Sequence, residues 1–251
     1  TALLHAVAVV KAGVFLLMRT VYYGFGADYL RGSFAQQIAL GFVIFTAVFG
    51  AAAAVRERHF KRRLAYSTVS NLSYILFGVL LCSEAGLAAG ITHTVFHALI
   101  KIGAFMCAGA FMRRTGKEYL FELDGAGKKM PLTFGFFTVF SLALVGIPLF
   151  DGFVSKYQLV MAGFRDGTVL GTVGVFALIA AAFLCAVYMF TVPIRAFFPR
   201  AGRDKFASAA VSDPDWRMLA PIGLFALLSV FFGVYPQPIL ALAAAIAGGG
   251  L

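Results

Sequence analysis

The stretch THTVFHALIKIGAF, residues 92–105, places His93, His97 and Lys101 four residues apart in otherwise apolar sequence. In an α-helix each step of four turns the side chain by only about 40°, so the three titratable groups form one stripe roughly two turns tall. Imidazole titrates near neutral pH and both accepts and donates protons. A His-His-Lys stripe of this kind suits a proton relay with water filling the gaps. Three rival readings use the same residues. Histidines at i and i+4 match a metal-ligand spacing, but no carboxylate or cysteine stands nearby in sequence to complete a shell. They also suit axial haem ligation in a membrane electron carrier, which would give purified protein a Soret band. The plainest reading is a face that hydrogen-bonds a neighbouring helix.

Two further lysines share this setting. Lys11 lies in LLHAVAVVKAGVFLLMR, about halfway along an apolar run and too far from its end to snorkel. His5 precedes it by six residues, about 240° around a helix, and is kept only as a supporting polar residue. Lys156 lies in SLALVGIPLFDGFVSKYQLV, where Gly146, Pro148 and the Asp151-Gly152 pair would interrupt an apolar helix. Unwound backbone at membrane depth is tolerated where it is buried or faces a cavity, and broken helices place dipole ends at ion sites. Ionisable groups within a membrane mark proton or ion paths by default. Ser67, Thr68, Ser70, Asn71 and Ser73 add a polar stretch in FKRRLAYSTVSNLSYILFG, suited either to close helix packing or to a water path.

These groups need a scaffold, and composition indicates which. The chain has 251 residues, 61% hydrophobic and 13% charged, against about a quarter charged in soluble domains. Lipid must therefore cover the outside. The fold class expected is all-α and polytopic, because backbone groups in lipid have to be paired within their own helix. Seven spans are predicted, at about 1–22, 36–55, 64–82, 87–112, 132–163 (interrupted), 168–194 and 218–236. An apolar tail, 237–251, is too short for a further span.

The basic residues test that count. Fifteen of the 21 fall in loops 56–63, 113–131 and 195–217, which share one side if each span crosses once. Arg19, Arg31 and Arg165 fall on the other side, and the remaining three are Lys11, Lys101 and Lys156. The positive-inside rule makes the 15-residue side cytoplasmic. Ten of the eleven acids lie in loops or at span ends, with Asp151 at the interruption. The net charge of +10 is thus read as topology and not as nucleic-acid binding. Cys82, Cys107 and Cys185 match no metal spacing and read as small buried hydrophobes. Nothing in the sequence offers a site for a nucleotide, a quinone or an iron–sulfur cluster, so no cofactor is expected. The first twenty residues have neither the basic start nor the cleavage site of a signal peptide. The chain begins without Met inside an apolar run, and on that ground it is expected to start within a longer protein.

Four segments carry a family likeness. LLHAVAVVKAGVFLLMR, KRRLAYSTVSNLSYILFG, HTVFHALIKIGAFMCAGA and GIPLFDGFVSKYQL, in this order over about residues 1–165, resemble the antiporter-like membrane subunits of respiratory complex I. The same subunits occur in energy-converting hydrogenases and multisubunit Na⁺/H⁺ antiporters, and VVKAG and GIPLFDGFVSKY are most similar to the D-type antiporter subunit and its hydrogenase-associated cousins. The resemblance implies two inverted five-helix repeats, each with a broken helix, and a Lys/His/Glu axis across the membrane centre. Lys11 matches the lysine on the last helix of the first repeat. His93, His97 and Lys101 match the His-His-Lys helix, and Lys156 the ionisable position of the second broken helix. Spans two to six would form the second repeat, with residues 1–236 as one antiporter-like domain. The first broken helix and the early Glu–Lys pair would precede Thr1. The function implied is proton translocation in a bacterial or archaeal cytoplasmic membrane, with redox chemistry in other subunits. The partners implied are other membrane subunits, the lipid bilayer, protons and, in an antiporter, Na⁺.

Overall fold

The computed structural model describes residues 9–199, 202, 204–206 and 211–249. His5 lies outside the described residues. The chain opens with α1 (Val9–Arg19), continues through a π-helical turn (Thr20–Phe25) and reaches a short α2 (Ala27–Leu30). Two long helices follow, α3 (Phe34–Arg56) and α4 (Phe60–Leu80), and then α5 (Glu84–Thr115), the longest. Beyond a 3₁₀ turn (Leu120–Glu122) lie α6 (Ala126–Lys129), α7 (Pro131–Val145) and α8 (Asp151–Arg165). The chain then forms α9 (Val169–Phe197), α10 (Trp216–Val234) and α11 (Gln237–Ala247).

The helix ends follow from capping chemistry. Ser33, Ser83 and Thr168 precede α3, α5 and α9, and their hydroxyls accept the backbone N–H of Gln36, Gly86 and Gly171 at 3.2, 3.2 and 3.0 Å. Such caps satisfy donors that a helix start leaves free. α7 begins with Pro131 and is capped from afar: Asp213 accepts the N–H groups of Leu132 and Thr133, each at 3.0 Å.

α3, α5, α9 and α10 are long and apolar enough to cross a membrane. α4 has the length, 21 residues, but carries the polar stretch singled out above. α7 and α8 have 15 residues each, about 22 Å apiece at 1.5 Å per residue. They occupy the predicted interrupted span as two half-helices. Phe42, Phe45 and Phe49 of α3 and Phe176 and Phe183 of α9 are exposed, an apolar surface that a lipid environment covers and water would not. The chain is a mostly helical integral membrane protein.

α5 lies at the centre, packed against α4, α7, α8, α10 and α11. It is largely buried, whereas α10 is mostly exposed. The predicted short tail forms α11 and packs on α5. One loop assignment differs in detail: Lys61, Arg62 and Arg63 belong to the first turn of α4, and Arg63 is buried. Its guanidinium donates to the carbonyls of Glu57, Tyr188 and Val55 at 3.1, 3.0 and 3.1 Å, tying the α3–α4 turn to α9. In that turn Glu57 accepts the backbone N–H groups of Arg58 and His59, and the His59 N–H, first among the causes, holds its carboxyl below the ordinary value.

α3 and α4 meet closely at Gly50, where an added Cβ would stand 2.9 Å from the Ser70 backbone nitrogen. Backbone cannot yield as a flexible side chain does. Gly50→Leu is expected to force the helices apart and cost about 1–3 kcal/mol, seen as a lower thermal midpoint of the purified protein. An unchanged midpoint would contradict this packing.

Candidate functional site

The site is assembled on α5. His93, His97 and Lys101 are at most 2% exposed and lie along one face, as their spacing requires. The two imidazoles stack with centroids 5.9 Å apart. His93 Nδ1 pairs with Ser155 Oγ of α8 at 2.9 Å, and its ring stacks on Tyr74 of α4 at 5.5 Å. His93 Nε2 and both ring nitrogens of His97 have no protein hydrogen-bond partner among the described residues.

Each of the three lysines donates to backbone carbonyls. Lys101 Nζ reaches the Leu64 carbonyl of α4 at 2.9 Å and makes a second, short contact with Ser67 Oγ. Lys11 Nζ reaches the Thr94 carbonyl of α5 at 3.0 Å, one residue beyond His93. Lys156 Nζ reaches the carbonyls of Leu144 and Val145 at 2.6 and 3.1 Å and lies 5.3 Å from the centre of the Tyr74 ring. None of the three forms a salt bridge among the described residues.

The break between α7 and α8 explains the acceptors of Lys156. A helix C-terminus leaves its last carbonyls without intrahelical donors. Gly146 adopts φ +93°, and the N–H groups of Gly146 and Ile147 close back on Ala143 and Leu142, each at 3.1 Å. That Schellman turn satisfies two carbonyls, and the next two, of Leu144 and Val145, accept from Lys156. Pro148 lies in the unwound stretch, where Leu149 also takes a left-handed φ of 78°. Asp151 and Gly152 form the first turn of α8 and so lie just outside the break. Asp151 is fully buried, and its Oδ1 accepts from Ser229 Oγ of α10 at 2.5 Å and from the Gly152 N–H at 2.9 Å. A helix N-terminus favours such a carboxylate.

Sequence reasoning missed three participants. Tyr74 lies seven residues after Ser67, two turns along α4, so extending the polar stripe would have reached it. Ser155 adjoins Lys156, but nothing in the sequence pairs it with His93. Ser229 sits alone in an apolar helix and gave no signal. The Ser70 hydroxyl donates to the Ala47 carbonyl of α3 at 2.7 Å, the helix-packing use of the two that its sequence setting allows.

Buried lysines and histidines around a broken helix, inside an apolar helical bundle, define a polytopic membrane protein with ionisable groups in its interior. The chain belongs to the transmembrane family "NADH:quinone oxidoreductase/Mrp antiporter, TM", whose pattern matches residues 1–186. It is 31% identical over 242 residues to NADH-quinone oxidoreductase subunit L of Rickettsia conorii, covering 96% of this chain and 35% of that protein. It is 28% identical over 230 residues to the D subunit of the Na⁺/H⁺ antiporter of Alkalihalophilus pseudofirmus, covering 91% of this chain and 45% of that one. Its fold matches a chain of the membrane-bound sulfane sulfur reductase, an archaeal respiratory membrane complex, with a TM-score of 0.83 and 27% identity over 99% of this chain and 48% of that chain. The chain thus spans less than half the length of these relatives.

Gly146 offers a test of the break. A Cβ there would stand 3.1 Å from Lys156 Cδ on backbone that side chains disfavour. Gly146→Ala is expected to cost about 1–3 kcal/mol and to disturb the Lys156 contacts, lowering the thermal midpoint of the purified protein. If the midpoint stays unchanged, the turn is not held as described.

Proposed function

We propose that this chain forms part of a proton-translocating membrane subunit of a complex I-related assembly, with redox chemistry in other subunits. The observation that carries the reading is the set of lysines in an apolar bundle, each bound by carbonyls and, among the described residues, none by a carboxylate. A carboxylate partner would hold the ammonium in its charged state. Carbonyl oxygens also bind the ammonium, yet a lysine that releases its proton leaves no buried anion behind. Each site can then be charged or neutral, and its state acts on the others by Coulomb repulsion, which burial strengthens.

In this mechanism a charge change at one end of the axis displaces protons along Lys11, Lys101 and Lys156. His97 and His93 bridge the stretch from Lys101 toward Lys156, with water reaching the unpaired ring nitrogens. The Tyr74 ring and the Ser155 hydroxyl position His93. Seven crossings with loops 56–63, 113–131 and 195–217 on the cytoplasmic side fit the basic-residue count, and residues 1–236 act as one domain. The five helical spans from α3 to α9, with α7 and α8 counted as one, match the resemblance to a second inverted repeat. Other membrane subunits are the partners, as in the complexes to which the relatives belong.

The Alkalihalophilus relative favours a second reading, part of a monovalent cation/proton antiporter. That reading predicts proton movement driven by a Na⁺ gradient without any electron donor.

Lys101→Ala in the full-length complex tests the first reading. Proton translocation is expected to fall roughly tenfold or more, with electron transfer slowed or uncoupled beside it. Unchanged translocation would contradict the role of Lys101.

A further inference from the structure

Asp151 is a fully buried acid that the proposed axis does not use. Both of its side-chain hydrogen bonds, from Ser229 Oγ and from the Gly152 N–H, fall on Oδ1. Oδ2 has no partner among the described residues. No cation answers the carboxyl either, since Asp151 forms no salt bridge among the described residues. The helices packed on α8 are α4, α5, α7, α9 and α10. α7 carries no titratable side chain. α10 carries only Arg217, about 18 Å along the helix from Ser229. The titratable groups of the other helices are directed elsewhere. Tyr74 donates to the Leu178 carbonyl, Cys185 to the Leu144 carbonyl, and His93 pairs with Ser155. Tyr188 lies beside Cys185 and Ser67, and Lys101 and Lys156 are held by carbonyls.

α10 meets the broken helix at two positions on one face, four residues apart. Ser229 is buried and is the only hydroxyl side chain of α10. At Gly233 an added Cβ would stand 2.2 Å from the Leu149 carbonyl oxygen. The Asp151–Ser229 bond therefore sits where α10 lies directly on the break.

We propose that Asp151 is a proton-binding site separate from the lysine–histidine axis, with Oδ2 as the atom that takes the proton and the Ser229 bond as the contact that responds. An ionised carboxylate accepts hydrogen bonds at both oxygens, and a buried charge left unmatched is costly. Here the donors serve Oδ1 alone, so a proton on Oδ2 removes the unmatched charge. The water that delivers the proton then accepts the new O–H bond, and the reverse step returns it. A metal cation is the poorer occupant. Asp151 and Ser229 give it only two side-chain ligands, and the positive end of α8 opposes it. A hydrogen bond to an ionised group is roughly twice as strong as a neutral one. Proton binding thus weakens the Ser229 bond and loosens the hold of α10 on the break, and proton release tightens it.

Infrared difference spectroscopy of the full-length complex, acid against alkaline, tests the site. A carboxylic C=O band is expected in acid, shifted in D₂O, absent in Asp151→Asn and displaced in Ser229→Ala. Lys101→Ala is expected to keep the band, so this site stands or falls apart from the translocation reading. Amide hydrogen exchange, corrected for its intrinsic pH dependence, reads the latch. Residues 146–153 are expected to exchange about fivefold faster in acid than in alkali. Ser229→Ala is expected to exchange at the faster rate in both. Should Asp151→Asn fail to assemble, the displaced band and the exchange of Ser229→Ala carry the test. No band, a band that survives Asp151→Asn, a band that Na⁺ removes at constant pH, or exchange indifferent to Ser229→Ala would overturn the proposal.

Discussion

The structure depends on burying three lysine side chains inside an apolar bundle with backbone carbonyls as their partners. A buried ionised group is costly unless hydrogen-bonded, and the bonds come from backbone carbonyls. That demand fixes several features together. α4 must approach α5 closely enough for Leu64 and Ser67 to reach Lys101. α1 must pack so that Lys11 meets the Thr94 carbonyl. The helix carrying Lys156 must be broken, because an unbroken α7–α8 would use the carbonyls of Leu144 and Val145 in its own ladder.

Carbonyl solvation also sets what the site can do. Two unit charges ~10 Å apart repel by roughly 1–2 kcal/mol at an effective dielectric of about 20. That is enough to change a proton's preferred site by about tenfold, without any large motion. The histidines fit between the lysines because imidazole has a donor and an acceptor position. Ser155 occupies one nitrogen of His93 and the other has no protein partner among the described residues, the one the proposed path would use. Asp151 lies apart from this line, held by Ser229 and the α8 N-terminus, and so pins the break to α10.

Much of this was legible in the sequence because membranes impose few rules and strict ones. Apolar runs of fixed length gave the positions of most helices, and four-residue spacing put His93, His97 and Lys101 on one face. Gly146, Pro148 and the Asp151-Gly152 pair marked the break, although only the backbone geometry showed that it ends before Asp151. Partners across helices were not legible. Ser155 and His93 are 62 residues apart, and Arg63 and Tyr188 are 125 apart. Contacts at such separation depend on helix rotation and depth, which no local pattern encodes. Ser229 is the clearest case, since a lone serine in a spanning helix has no periodicity to read. The basic first turn of α4 was legible as charge, but its division into one buried arginine and two exposed cations required the packing.

The central claim is that Lys101 and Lys156 act in series on one proton path. The most direct measurement is a double-mutant comparison of proton translocation in the full-length complex, with Lys101→Ala, Lys156→Ala and both together. Groups acting as one unit are strongly non-additive. The account predicts that the double variant loses no more than the more impaired single one. Losses that multiply would show two independent contributions and contradict a shared path.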